Sequence, residues 1–245
     1  MAKCKGCASS GGTLQSHLVP YSRNPSPQMS NQQNADCTSC GAAFIYRSSD
    51  NGFTWPSNAT QMLTASDKTN YASLGAKVAL SGDIALLGLP SESEREAAYL
   101  FQSPDGGITW PSQETQILTA SDETLGDTFG ASIAISGNAA LIGAARRSVN
   151  GLNYCGTVYL FKANGYGATW SETQKLTPSD VMASAKFGSA VAVDGNVALI
   201  GADGRSYNGT QNAGSPFIFE CAGCRITRKV RSNNAAADDT DICAS

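Results

Sequence analysis

The sequence predicts an all-β protein built as an array of small antiparallel sheets, and two observations carry that expectation. The first is self-similarity. AAFIYRSSDNGFTWPSNATQMLTASD from Ala42, followed by SLGAKVALSGDIALLGLP, returns from Ala97 as AAYLFQSPDGGITWPSQETQILTASD with TFGASIAISGNAALIGAA. It returns again from Thr157 as TVYLFKANGYGATWSETQKLTPSD with KFGSAVAVDGNVALIGAD. Repeating units of this length must stack on their neighbours to bury a core. The second observation is two-residue alternation of apolar and polar positions, broken by turn residues in a fixed order, with no convincing helical period.

One copy can be parsed in order. FGASIAISG at 129–137 alternates and ends at a Gly-Asn turn, so it reads as a first strand. NAALIGAA is a continuous apolar run and reads as a buried second strand. A variable polar loop leads to GTVYLFK as a third strand, and a tight turn leads to TWSETQKLT as a fourth. Four short antiparallel strands joined by turns are the unit of a β-propeller blade. Residues 74–118, 129–176 and 187 to about 231 make three such blades, and 41–63 half of another. A partial or four-bladed ring of about three and a half repeats follows, spanning 41–231. The polar, Cys-containing leader 1–40 either stands apart or belongs to a preceding partial blade, since HLVPYSRNP at 17–25 falls where LIGAARRS would. Residues 232–245 have the composition of a flexible tail.

Glycines recur at two repeat positions, Gly75, Gly130 and Gly188 and then Gly88, Gly143 and Gly201. Both sets fit places where backbones crowd at the narrow end of a tapered blade. The pairs Phe129-Gly130 with Gly143-Ala144, and Phe187-Gly188 with Gly201-Ala202, resemble the FG-GAP repeat of integrin α-chain propellers; Leu74-Gly75 with Gly88-Leu89 is a degenerate copy. The resemblance covers roughly residues 41–220. It implies a β-propeller, extracellular or cell-surface placement, and adhesion or ligand binding. Family members that bind calcium carry closely spaced aspartates after the G-A strand. Here those loops read PSESEREA, ARRSVNGLNYC and DGRSYNGTQNAG, too poor in carboxylates for a hard cation. No calcium site and no cofactor is expected.

SSDNGFTW at 48–55 and SPDGGITW at 103–110 fit S-x-D-x-G-x-T-W, which resembles the Asp-box hairpin of sialidases; ANGYGATW at 163–170 keeps part of it. The residues that would fix the turn are Asp50, Gly52, Trp55, Asp105, Gly107, Trp110, Gly167 and Trp170. In such a hairpin aspartate and serine bond turn amides, glycine accepts positive φ, and tryptophan packs beneath.

Composition narrows the function classes. Charged residues make up 15% and the net charge is −3, so no broad field attracts nucleic acid, and no apolar run reaches membrane-spanning length. The amino terminus lacks the apolar centre of a secretory signal. The eight cysteines include three C-x2-C pairs, read as disulfides of an oxidising compartment, as free thiols, or as a zinc knuckle of Cys4, Cys7, Cys37 and Cys40 in an intracellular assembly subunit. Asn58 and Asn208 head glycosylation triplets.

A single histidine, His17, and the absence of nucleophile or phosphate-loop motifs argue against an enzyme. A sialidase-like glycoside hydrolase fragment would need an arginine cluster, a tyrosine and a glutamate. Arg47, Arg95, Arg146, Arg147, Arg205, Tyr154 and Glu94 or Glu96 supply the residue types without a recognisable motif. The expectation is a non-enzymatic structural or adhesive module. Its variable loops at 91–96, 146–156 and 204–214 would meet protein or glycan partners through Arg146, Arg147, Tyr154, Arg205 and Tyr207. A blade count short of a comfortable ring implies an oligomer or a larger assembly.

Overall fold

The computed structural model describes residues 16–20, 41–50, 52–67, 73–90, 95–165, 169–206, 210–222 and 225–229. Among them there is no helix, and hence none long and apolar enough to cross a membrane. The chain forms four antiparallel sheets, each a meander of sequential strands. Sheet I holds β1 (Ser16–Pro20), β2 (Ala43–Arg47) and β3 (Gln61–Leu63). Sheet II holds β4 (Lys77–Ser81), β5 (Ile84–Leu89), β6 (Ala97–Gln102) and β7 (Gln116–Leu118). Sheet III holds β8 (Phe129–Ser136), β9 (Ala139–Ala144), β10 (Thr157–Asn164) and β11 (Thr169–Leu176). Sheet IV holds β12 (Phe187–Asp194), β13 (Val197–Ala202), β14 (Ser215–Ala222) and β15 (Arg225–Lys229). These are propeller blades, and the four strands of sheet III follow the order and near-exact bounds that alternation predicts.

β1 pairs with β2 in the register that β9 keeps with β10: Leu18 faces Ile45 as Leu141 faces Leu160. It therefore stands at the second-strand position of sheet I.

Successive sheets bury three separate cores. Between I and II, Ala43, Ile45 and Leu63 meet Tyr99, Phe101 and Trp110. Between II and III, Leu86, Leu100 and Leu118 meet Phe129, Tyr159, Phe161 and Trp170. Between III and IV, Leu141, Val158, Leu160 and Leu176 meet Phe187, Phe217 and Phe219. The strand period of two sends alternate residues of β10 to different cores, Val158 and Leu160 to one and Tyr159 and Phe161 to the other. Each blade is thus apolar on both faces, which explains why its central strands read as continuous apolar runs.

In β8 and β12 the Phe-Gly pair begins the first strand with a bulge. Phe129 faces Ala144, yet Ser132 is the next residue paired, facing Gly143; Phe187, Ala190 and Gly201 repeat the shift. The extra residues turn the ring inward. Phe129 then meets Tyr159 and Phe161 edge-on at centroid distances of 5.4 and 6.2 Å, and Phe187 meets Phe217 and Phe219 at 5.1 and 6.0 Å. Gly130 sits at φ +89°, and a Cβ on it would approach the Ala97 carbonyl oxygen at 2.8 Å. The sequence suggested crowding there; the left-handed backbone is a second, independent demand for glycine.

Candidate functional site

The loops between second and third strands carry the exposed chemistry, so what holds them decides what they can do. In sheet III the loop runs from Ala145 to Gly156. Its start is fixed by Arg147, whose guanidinium donates to Asp127 at 2.6 Å and to Asp122 at 2.8 Å, and also reaches the Asp122 carbonyl at 2.7 Å. Asp122 further accepts the Tyr159 hydroxyl at 2.8 Å and lies 2.8 Å from the Lys175 ammonium. Burial raises the Asp122 carboxyl, but the bonds from Lys175 and Tyr159 and the Arg147 charge outweigh it, and the net shift is downward. For Asp127 burial wins over Arg147 and the shift is upward.

The arrangement recurs around the array. Asp67 accepts the Tyr99 hydroxyl at 2.9 Å and pairs with Arg95 at 3.1 Å. Asp180 pairs with Arg205, while Phe217, lacking a hydroxyl, occupies the tyrosine position. In every case the aspartate follows the last strand of one sheet and its partners belong to the next. The serine just before it repeats the pattern: Ser66 bonds Glu114, and Ser121 bonds Glu172 through its amide at 2.8 Å and its hydroxyl at 2.9 Å. These clasps tie sheet to sheet at the rim.

Arg147 and Arg205 were expected as exposed contact residues, and here the structure corrects the sequence reading. Their side chains are 17% and 14% exposed, because each guanidinium is drawn down onto the carboxylates of the preceding sheet. Arg146 is exposed, and so is Tyr154, at 51%. Tyr207 and the Asn208 triplet lie outside the described residues; Asn58 is exposed. The Tyr154 backbone has φ +55°, uncommon for a bulky side chain. Its carbonyl accepts the Lys186 amide at 3.0 Å, and the neighbouring Asn153 carbonyl accepts the Ser184 amide at 2.8 Å. Leu152, 40% exposed, completes an outward-facing group on a pinned loop.

Among the other residues nominated by type for a hydrolase, Glu96 is fully buried. Its carboxylate accepts the amides of Gly126 at 2.9 Å and of Thr128 and Phe129 at 2.8 Å each. Burial pushes its pKa up and the three amides pull it back, leaving it raised. Glu96 stands where Gly41, Gly156 and Gly214 stand in the other sheets, and it anchors the segment entering β8. Glu94 lies outside the described residues, and Arg95 is held by Asp67.

The aspartates of the two S-x-D-x-G-x-T-W hairpins direct their oxygens into their own turns. Asp50 accepts the Ser48 hydroxyl at 2.5 Å and the Thr54 amide and hydroxyl at 2.9 and 2.5 Å. Asp105 accepts the Thr109 amide and hydroxyl at 2.8 and 2.7 Å and the Ser103 hydroxyl at 2.9 Å. Gly52 and Gly107 donate their amides to those serines. The Ser48 bond leads in lowering Asp50, and the Thr109 amide leads in lowering Asp105, each to about 2. Trp110 and Trp170 are buried in the I–II and II–III cores, whereas Trp55 remains 36% exposed. Gly167 lies outside the described residues.

Cys155 is a buried free thiol, 3.1 Å from the Leu152 carbonyl, so the disulfide expectation fails at this cysteine. Its sulfur is enclosed under the loop. Cys4, Cys7, Cys37 and Cys40 lie outside the described residues. Among the described residues no group of three or more His, Cys, Asp or Glu is placed to hold a metal.

The inter-sheet aspartates are the structural framework that sequence reasoning missed. The signal was present, since each copy ends in Ser-Asp. Nothing in one copy alone reveals that its partners lie in the next.

Residues 112–161 and 170–219 match the FG-GAP repeat, so the chain carries at least two of these repeats in register. No curated protein matches the sequence. Among solved structures, a mutant NanB sialidase from Streptococcus pneumoniae is similar with a TM-score of 0.44 and 14% identity, over 77% of this chain and 28% of that one. The chain thus spans little more than a quarter of that protein.

Proposed function

From a chain built of FG-GAP blades, we propose a non-enzymatic structural or adhesive module that acts outside the cell and binds protein or glycan partners through its blade loops. The observation that carries this reading is the loop 145–156. It is pinned by Arg147 at one end and by backbone bonds to residues 184 and 186 at the other, yet presents Arg146, Leu152 and Tyr154 outward. A rigid loop with an exposed tyrosine and arginine loses little entropy on contact, which favours binding. The engagement of several carboxylates in structural bonds supports a non-enzymatic role. Asp50 and Asp105 bond within their hairpins, Asp122 and Asp180 hold arginines, and Glu96 anchors a loop. FG-GAP repeats are typical of extracellular proteins, which supports the compartment.

Purified chain is to be screened against immobilised glycans and cell-surface proteins, with a Tyr154→Ala, Arg146→Ala double variant beside it. Retention of wild type and at least tenfold weaker retention of the variant supports the reading. Turnover of fluorogenic glycosides by the wild type would overturn it.

A further inference from the structure

Each junction in the array joins two unlike faces. The leading face of a sheet offers an aliphatic pair on its two central strands: Leu86 opposite Leu100 in sheet II, and Leu141 opposite Leu160 in sheet III. All four are at most 2% exposed, because the next sheet covers them. The receiving face of that next sheet offers an aromatic pair at alternate positions of its third strand. The pairs are Tyr99 and Phe101, Tyr159 and Phe161, and Phe217 and Phe219, again almost fully buried.

Both halves of this interface occur once more, at the two ends of the array. On sheet IV, Leu199 lies opposite Ile218 in the register of Leu141 and Leu160. Leu199 and Val197 are each 46% exposed, and Ala190, Ala192 and Pro216 around them are exposed too. A Cβ on Gly88 or Gly143 would collide with a carbonyl of the following sheet, Gly130 or Gly188. On Gly201 it would meet only its own sheet, nearest the Ala190 Cβ at 3.5 Å. At the other end, Phe44 and Tyr46 of sheet I occupy the aromatic positions and are only half-buried. Met62, opposite Phe44 on β3, is 36% exposed, as is Trp55.

We infer that sheet IV of one copy docks on sheet I of a second copy, repeating between chains the leading-to-receiving contact that the chain makes three times within itself. The occupant is a second copy because its receiving face carries the complementary pattern. Contact of unlike faces is head-to-tail, and two copies of four sheets would close a ring of eight, within the roughly 4 to 8 blades that propellers adopt. This junction joins separate chains, whereas the internal ones are joined covalently, so it is the one that dilution reverses.

The test is light-scattering mass across a dilution series, for the wild type and for Leu199→Glu, Val197→Glu, Tyr46→Glu and Met62→Glu. Circular dichroism melting checks that each variant is folded. Expected are twice the 25.4 kDa chain mass for the wild type, single mass for each variant, and recovery of the doubled mass when Leu199→Glu is mixed with Tyr46→Glu. Only in that mixture does one intact leading face meet one intact receiving face. A wild type of single mass at every concentration overturns the inference. So does a doubled mass for Tyr46→Glu or Met62→Glu alone, which would mean that like faces pair, or for Leu199→Glu and Val197→Glu. The loop reading of function stands or falls separately, since these variants leave residues 146–154 intact.

Discussion

The Tyr159 hydroxyl donates a 2.8 Å hydrogen bond to the Asp122 carboxylate, joining a core residue of sheet III to the segment that follows sheet II. The ring is fully buried and only its oxygen reaches the rim. Removing that oxygen therefore isolates the clasp from the packing. Tyr159→Phe is expected to cost about 1.5 kcal/mol, the low end for a bond to a charged acceptor, because Asp122 keeps Arg147 and Lys175. Urea unfolding measures it. The chain itself contains the phenylalanine version, Phe217, at the junction where Arg205 pairs with Asp180.

Glu96→Gly restores the residue that the other three sheets carry at this position, and it is nonetheless expected to destabilise. The amides of Gly126, Thr128 and Phe129 lose their common acceptor beside a buried ring. A loss of at least about 2 kcal/mol follows from leaving buried donors unpaired. Hydrogen exchange should quicken at those three amides while those of sheet IV keep their rates. Unchanged exchange at 126–129 would mean the carboxylate is incidental.

How much of this was legible follows from the range of each interaction. The alternation of the sheet III strands and the turn bonds of Asp105 depend on neighbours within a few residues, so one copy exposes them, whereas the crowding at Gly130, set by the Ala97 carbonyl of the preceding sheet, shows only through the recurrence of glycine at that repeat position. Arg147 was misread as a surface contact because its partners, Asp122 and Asp127, lie 25 and 20 residues back in the preceding sheet's trailing segment. Glu96 was noticed only as a residue type, since its acceptor role depends on amides 30 to 33 residues away. Periodicity locates faces; it does not say which polar atoms meet across them.

The aspartates of the two S-x-D-x-G-x-T-W hairpins should hold their charge far into acid. Asp50 and Asp105 have pKa values lowered to about 2 in the fold, against an ordinary aspartate near 3.8. A depressed folded pKa means that the contribution is fully present above the unfolded value and is lost as pH falls through the folded one. The window is therefore about pH 4 down to 2. Carboxyl-carbon NMR should give midpoints near 2 for both residues, and Thr109→Val should raise that of Asp105 by removing its hydroxyl bond. A midpoint near 4 in the wild type would contradict the hairpin geometry.

The paired glycines separate crowding within the array from chain flexibility. At Gly143 a methyl group would run into the Ser132 hydroxyl and the Gly188 carbonyl of sheet IV, and these two are already bonded to each other at 2.6 Å, so neither steps aside cheaply. Gly143→Ala is expected to cost about 1–3 kcal/mol, the range for overpacking a filled core. At Gly201 the same methyl finds ordinary contact distance, and the residue lies within β13 outside the left-handed region. Gly201→Ala should then be neutral or stabilise by up to about 1 kcal/mol, because alanine restricts the unfolded chain. Thermal melts of the two variants at a concentration low enough to keep the chain monomeric measure the contrast. Equal destabilisation would mean that glycine serves the strand itself; a penalty at Gly143 alone assigns it to the neighbouring sheet.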